Sequence, residues 1–362
     1  MLSKPFTYAE AGVDRKLRAV SKESLKILDE THRFSRHGEV LTLPYGKIFP
    51  ISGNRYLDLV IEGVGTKVLV AQLAGKYDTI GIDGVAMAVN DVIRSGARPL
   101  AIADNIHAEA SNPELVRQLI EGIARGAAEA ECVVSGGEIG DVAEIIRGIA
   151  AGRGFDMVVA CIGEVEKKKV VFGDQLHAGD AVIGLRSSGI HSNGITLARK
   201  VLFKKWGGKY DAFEVPEGFT RGIVYEVLEP TRIYVKPFMR LMDEMQVKAA
   251  VHITGDAYLK FERLAKFSRG VGFEFDNFKP QPIFELIQKT AEEVRGKITD
   301  EEMLKTFNMG WGFAVVVEKA QVDDALSILG KAGVEAEVIG RVTDSGKIVA
   351  LYRGEKLVLA SL

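Results

Sequence analysis

Residues 61–69 read IEGVGTKVL and follow an apolar run, Tyr56–Leu57–Asp58–Leu59–Val60. The run reads as a strand, with Glu62–Thr66 as its exit loop. Gly63 and Gly65 let the chain turn and let backbone N–H groups approach an anion closely. Glu62, Thr66 and Lys67 add an acid, a hydroxyl and a mobile positive charge, groups suited to a metal–phosphate ligand. The glycine spacing is not that of a GxxxxGK[ST] phosphate loop, and no GxGxxG turn occurs elsewhere in the chain. A P-loop or Rossmann architecture is therefore set aside. The expected class is α/β (α+β), with mixed sheets flanked by helices.

Working outward, Lys22–Arg36 reads as a first helix with Leu25, Leu28 and His32 on one face. Val68–Leu73 is a strand or a helix that periodicity alone does not assign. Ala86–Ser95 reads as a helix ended by Gly96, and Pro113 opens a helix running to Ala130. Strands are expected at Pro99–Ala103, Cys132–Val134 (running into SGGE) and Phe155–Ile162. A charged turn and HAGD near residue 166 read as a join between domains, so that residues 1–165 and 166–362 form two units. The second unit repeats the alternation: strand Asp180–Leu185, a helix from about Ile195, apolar segments at Val247–Ile253 and Phe307–Val317, helix Asp323–Ala332 and a closing strand pair.

Composition narrows the function. The chain has 362 residues, 27% of them charged, and a formal net charge of -2. Such a balance gives no broad attraction to nucleic acid or an anionic membrane surface. The start, MLSKPFTYAEAGVD, lacks the apolar run of a signal peptide, and no segment is apolar for long enough to span a bilayer. A cytoplasmic protein with two buried free thiols, Cys132 and Cys161, is expected.

Polar groups at strand ends and in apolar contexts are the candidates for chemistry: Glu62, Asp83, Asn90, Asp91, Asp104 and Glu138. Scattered carboxylates of this kind can converge on magnesium together with nucleotide phosphates. Asn90–Asp91 stands out because it interrupts an otherwise apolar helix pattern. In SSGIHSNG, His191 is surrounded by Ser187, Ser188, Ser192 and Asn193 at a helix start, a setting for anion binding and proton transfer. His107 and His252 have less context to support them.

The segments YAEAGVD, EGVGTK, YDTIGIDGVAMAVNDV, SGGE, SSGIHSNGITLARK, LEPTRIYVKP, HITG and FNMGWGF span nearly the whole chain. Together they resemble the phosphoribosylformylglycinamidine cyclo-ligase (AIR synthetase) family. The resemblance implies a two-domain fold paired into a homodimer through its N-terminal domains, with no nucleic-acid or membrane partner. It also implies ATP- and magnesium-dependent closure of an imidazole ring on a small phosphoribosyl substrate. Carried onto these positions, Glu62, Asp83 and Asp91 would hold the metal, and His191, Lys67 and Asp91 would carry the chemistry. Gly63, Gly65, Thr66, Lys67, Asp83, Asn90, Glu138, Ser188 and Asn193 would contact the nucleotide. The chain departs from the family pattern at Glu62 (aspartate in the family), at Ile139–Gly140 after GGE, and at Asp256–Ala257 where the family has glycines. These departures leave two other readings open: a related ATP-dependent enzyme with a different substrate, and a non-catalytic nucleotide-binding paralogue.

Overall fold

The computed structural model describes residues 5–362, so Met1–Lys4 of the expected first domain lie outside the described residues. An N-terminal arm comprises α1 (Arg15–Glu23) and a 3-10 segment, Ser24–Phe34. A six-stranded sheet follows, from β1 (Leu41–Leu43), β2 (Gly46–Ser52), β3 (Arg55–Gly63), β4 (Arg98–Ala108), β5 (Val133–Asp141) and β6 (Phe155–Glu166). Its order is β1-β2-β3-β6-β4-β5, antiparallel except for β4 against β5. That parallel pair needs a crossover, which α4 (Pro113–Ala130) supplies. Asn112 caps α4 by accepting from the Leu115 N–H, and Pro113 opens it as expected.

The segment left unassigned by periodicity is helical: α2 (Lys67–Ala74), buried along most of its length. The next helix, α3 (Asp78–Ile93), begins earlier than the sequence pattern suggested and is buried on nearly every side. It lies between the sheet, α4 and the second domain, so no apolar stripe marks its ends. Gly81 and Gly122 permit its close crossing with α4. A Cβ on Gly122 would sit 1.9 Å from the Asp78 carbonyl oxygen.

The second sheet has seven strands in the order β13-β12-β9-β11-β7-β10-β8. They are β7 (Ala181–Arg186), β8 (Ala249–His252), β9 (Gly272–Phe275), β10 (Trp311–Val317), β11 (Ala336–Thr343), β12 (Lys347–Tyr352) and β13 (Glu355–Ser361). Its helices are α5 (Ile195–Leu202), α6 (Ile223–Val227), α7 (Val235–Glu244), α8 (Phe261–Phe267), α9 (Pro282–Val294), α10 (Asp300–Thr306) and α11 (Val322–Lys331). The strand β10 is buried at all of its positions, which explains its unbroken apolar character. Both cysteines are free thiols, and Cys161 is buried.

The arm corrects two expectations. Its first helix starts at Arg15 rather than Lys22, because Asp14 caps the N–H groups of Lys16 and Leu17. Leu25 and Leu28 are 56% and 57% exposed, so their common face is not buried in the core among the described residues. The arm, expected to belong to the first domain, in fact bridges both: Asp29 pairs with Lys47 of β2, while the stretch before it reaches the second domain. Tyr8 N–H donates to Glu302, the Ala11 carbonyl accepts from Lys200 Nζ, and Arg15 binds Glu302, Thr306 and the Lys305 carbonyl.

Candidate active site

The helix α3 distributes the site. At about 100° per residue, adjacent side chains on a helix point in different directions, and Asn90 and Asp91 separate accordingly. Asn90 faces the second domain: its Oδ1 accepts from Tyr234 N–H and its Nδ2 donates to the Arg232 carbonyl, both at 2.8 Å. Asp83, two turns earlier, faces the same way. Its Oδ1 accepts from the Thr231 N–H at 2.8 Å, the Thr231 hydroxyl at 2.7 Å and the Ser192 hydroxyl at 3.2 Å.

Lys67 completes this cluster. Its ammonium lies 2.8 Å from Asp83 Oδ2 and donates to the Glu229 carbonyl at 2.7 Å, with no solvent exposure on either side chain of the pair. An ammonium so enclosed already has its donors engaged, so Lys67 is not the mobile phosphate contact the sequence suggested. Asp83 likewise has its carboxylate committed and does not line the cavity described below. GVGTK therefore serves as a domain junction in this structure. Gly65 takes a left-handed φ of 71°, Thr66 Oγ1 meets Thr196 Oγ1 across the boundary at 2.8 Å, and Lys67 locks the far side.

His191 belongs to the same junction. Only 1% of its surface is exposed, and its Nε2 accepts the Ser188 N–H at 3.2 Å. Burial, followed by the charges of His252, Lys67 and Arg232, pushes its pKa well below the usual histidine value, so the ring is neutral. The Ser188 hydroxyl donates to the Pro230 carbonyl. Glu138 stands apart from both the junction and the cavity, exposed on the edge strand β5.

On the other side of α3, Met87, Asp91 and Arg94 line a cavity of about 360 Å³ between the two domains. Glu62, at the end of β3, reaches the same cavity, as do Asn193, Lys260 and Arg263. The structure thus brings Glu62, Asp91 and Asn193 together and leaves Asp83, Lys67, Asn90, Ser188, His191 and Glu138 outside. Asn193 Nδ2 is buried without a protein acceptor, a donor available to a ligand.

Asp91 is the hub. His252 Nδ1–H donates to its Oδ1 at 2.7 Å, and Arg94 holds its Oδ2 at 2.7 Å. Burial alone would raise its pKa, but Arg94, Lys260 and His252 overcome that and hold the carboxyl well below the usual range. Glu62 behaves oppositely: burial, then the adjacent Asp91 charge, pushes it up to about 7. His252 is lowered to about 4 by burial against the opposing pull of Asp91, and burial brings Lys260 down to about 8. Arg94, Lys260 and Arg263 were not foreseen. Arg94 carried a faint signal, one helical turn beyond Asp91, whereas Lys260 and Arg263 reach the site only through tertiary packing.

Among the described residues, no group of three or more His, Cys, Asp or Glu side chains is placed to hold a metal. Magnesium is commonly held by one or two carboxylates, with phosphates and water completing its shell. Glu62 and Asp91, in contact at one cavity, fit that requirement, while Asp83 does not.

The Glu62 pKa sets a stability expectation. A carboxyl raised from its ordinary 4.5 to about 7 favours the folded state below pH 4.5 and loses that contribution as pH rises through 7. In chelator, Glu62→Gln is expected to melt about 2–5 °C above the wild type at pH 8.5 and to lose this margin near pH 4.5. Equal margins at both pH values would show that Glu62 titrates as an ordinary surface acid.

Comparison with known proteins places this geometry in context. The N-terminal domain model of the AIR synthase related proteins matches residues 46–165, and the C-terminal domain model matches residues 177–353. A Pyrococcus furiosus protein named phosphoribosylformylglycinamidine cyclo-ligase is 38% identical over 357 residues, covering 97% of this chain and 99% of its own. One of the same name from Methanocaldococcus jannaschii is 38% identical over 370 residues, covering 98% and 99%. Among solved structures, the HypE-HypF complex matches with a TM-score of 0.62 at 18% identity, over 95% of this chain and 99% of that one. T. maritima PurL complexed with ATP matches with a TM-score of 0.57 at 16% identity, over 86% of this chain and 44% of that one.

Proposed function

The chain belongs to the AIR synthase related family through both of its domains, and from that premise we propose that it is an ATP-dependent phosphoribosylformylglycinamidine cyclo-ligase. The reaction closes formylglycinamidine ribonucleotide to 5-aminoimidazole ribonucleotide. The observation that carries this reading is the Asp91-centred cavity between the domains, in a chain similar to named cyclo-ligases over nearly its whole length. No such support favours a different substrate or a non-catalytic role.

An amide oxygen is a poor leaving group. Transfer of the ATP γ-phosphoryl to the formyl oxygen makes it a good one. The amidine-side nitrogen then attacks the same carbon, and phosphate departs. Holding both ends of one substrate makes the closure intramolecular, which removes much of its entropic barrier. Asp91, fixed by His252 and Arg94, presents a permanent negative charge. Glu62, packed against Asp91, is the second carboxylate of the cavity. Lys260 places a positive charge beside both. Magnesium, held by Glu62 and Asp91 with the nucleotide phosphates, would neutralise charge on the transferred phosphoryl group.

A homodimer is part of this proposal. Leu59, Ile162, Ala101 and Val133 form one cross-strand row on the open face of the first sheet. Leu59, Ile61 and Val133 are 59%, 69% and 64% exposed, an apolar face suited to a second copy. Glu138 lies on the edge strand of that sheet, where a nucleotide bound along the paired domains would come within its reach.

The test adds formylglycinamidine ribonucleotide, ATP and magnesium to the purified chain. Aminoimidazole ribonucleotide, ADP and phosphate are expected in equal amounts, from a species sedimenting at twice the chain mass. Hydrolysis of ATP without the imidazole product would overturn the reading.

A further inference from the structure

Once the ion pairs of the cavity and the Lys260–Thr254 hydrogen bond are assigned, three cations at its mouth remain. Arg18 and Lys22 lie one turn apart on α1, and Arg263 projects from α8. Together they line both the main cavity and an adjoining recess of about 70 Å³. None of the three has an ion pair or side-chain hydrogen bond among the described residues. The single acid in the recess, Asp256, is engaged 3.4 Å from Arg15 Nε.

The sequence explains why the charges gather. Arg15, Arg18 and Lys22 follow the i, i+3, i+7 spacing that puts side chains on one helical stripe. Arg15 is the anchor: it binds Glu302, Thr306 and the Lys305 carbonyl at 3.0, 2.7 and 2.9 Å. With Arg15 fastened to the second domain, the next two cations of the stripe overhang the cavity. Leu17 and Val20 point away, 67% and 63% exposed. Lys22 registers the crowding: burial, then the charges of Arg263 and Arg18, lower its pKa. Asp256 and Glu62 offset only part of this repulsion, and the net positive field that remains at the mouth favours an anion.

We propose that Arg18, Lys22 and Arg263 form the subsite for the 5′-phosphomonoester of the phosphoribosyl substrate. Two guanidinium groups and one ammonium suit a dianion with three equivalent oxygens. The recess has room for a single phosphate group but not for a nucleotide. It opens into the cavity that holds Asp91 and Glu62, so a substrate anchored here by its phosphate would extend its reactive end toward them. Asp256 pairs with Arg15, whose hydrogen bonds to Glu302 and Thr306 hold the arm above the recess.

This subsite rests on the proposed cyclisation for its substrate, but anion binding can be read separately. Arg263→Gln, Lys22→Gln and Arg18→Gln are each expected to raise KM for formylglycinamidine ribonucleotide by about 10- to 100-fold, with KM for ATP within about twofold. By calorimetry, the wild-type chain is expected to bind ribose 5-phosphate, and the Arg263→Gln chain to lose that binding. An unchanged KM for the phosphoribosyl substrate would overturn the proposal, and so would a rise confined to ATP, which would assign the cations to the nucleotide. Ribose 5-phosphate binding that depends on Arg263, in a wild-type chain that makes no imidazole product, would keep the subsite and reject the cyclisation.

Discussion

Asp91→Asn is expected to lower turnover by roughly 10³-fold while leaving a folded protein. The substitution keeps the size of the side chain and a carbonyl oxygen for His252 Nδ1–H, but removes the charge. Arg94 and Lys260 then face the cavity without their common counter-ion, and Glu62 loses the neighbour that raises its pKa. Magnesium would also lose one of its two candidate carboxylates. Circular dichroism and a melting curve would establish folding, and steady-state rates at saturating substrate would measure the loss. A folded variant within tenfold of the wild-type rate would remove Asp91 from the chemistry. Asparagine is more informative than alanine here, because a cavity beside buried His252 would mix a packing defect with the loss of charge.

Lys67→Met should act on stability instead. Breaking a buried ion pair by removing one partner typically costs about 3–5 kcal/mol, because the remaining charge is left uncompensated. Asp83 would keep its Thr231 and Ser192 donors but lose its cation, and the Glu229 carbonyl would lose the Lys67 donor. A fall in Tm of roughly 5–15 °C is expected, with KM for ATP little changed in the protein that remains folded. Adding Asp83→Asn should recover part of the loss, since the two residues act as a unit. An unchanged Tm with a tenfold rise in KM for ATP would instead make Lys67 a phosphate ligand.

These two expectations mark how far the sequence could be read. Asp91 was legible because a carboxylate inside an apolar helix pattern needs a partner. Glu62 was legible because it ends a strand at a glycine turn. Lys67 and Asp83 bore the same outward signs of function, yet the folded chain pairs them with each other. Nothing in GVGTK or IGID reveals that the Glu229–Tyr234 segment will close over both.

The sequence by itself determined the class of the fold and the family, because strand-end glycines, apolar runs and motif order are local properties of the chain. Only the tertiary structure decided which polar residues became site and which became junction. A helix turns adjacent side chains by about 100°, so Asn90 joins the domain contact while Asp91 reaches the cavity. The cations of the mouth show the same limit. Arg18 and Lys22 come from one end of the chain and Arg263 from the other half, and they meet only because Arg15 fastens the arm across the domains. Charges far apart in sequence become neighbours only when packing brings them within Coulomb range.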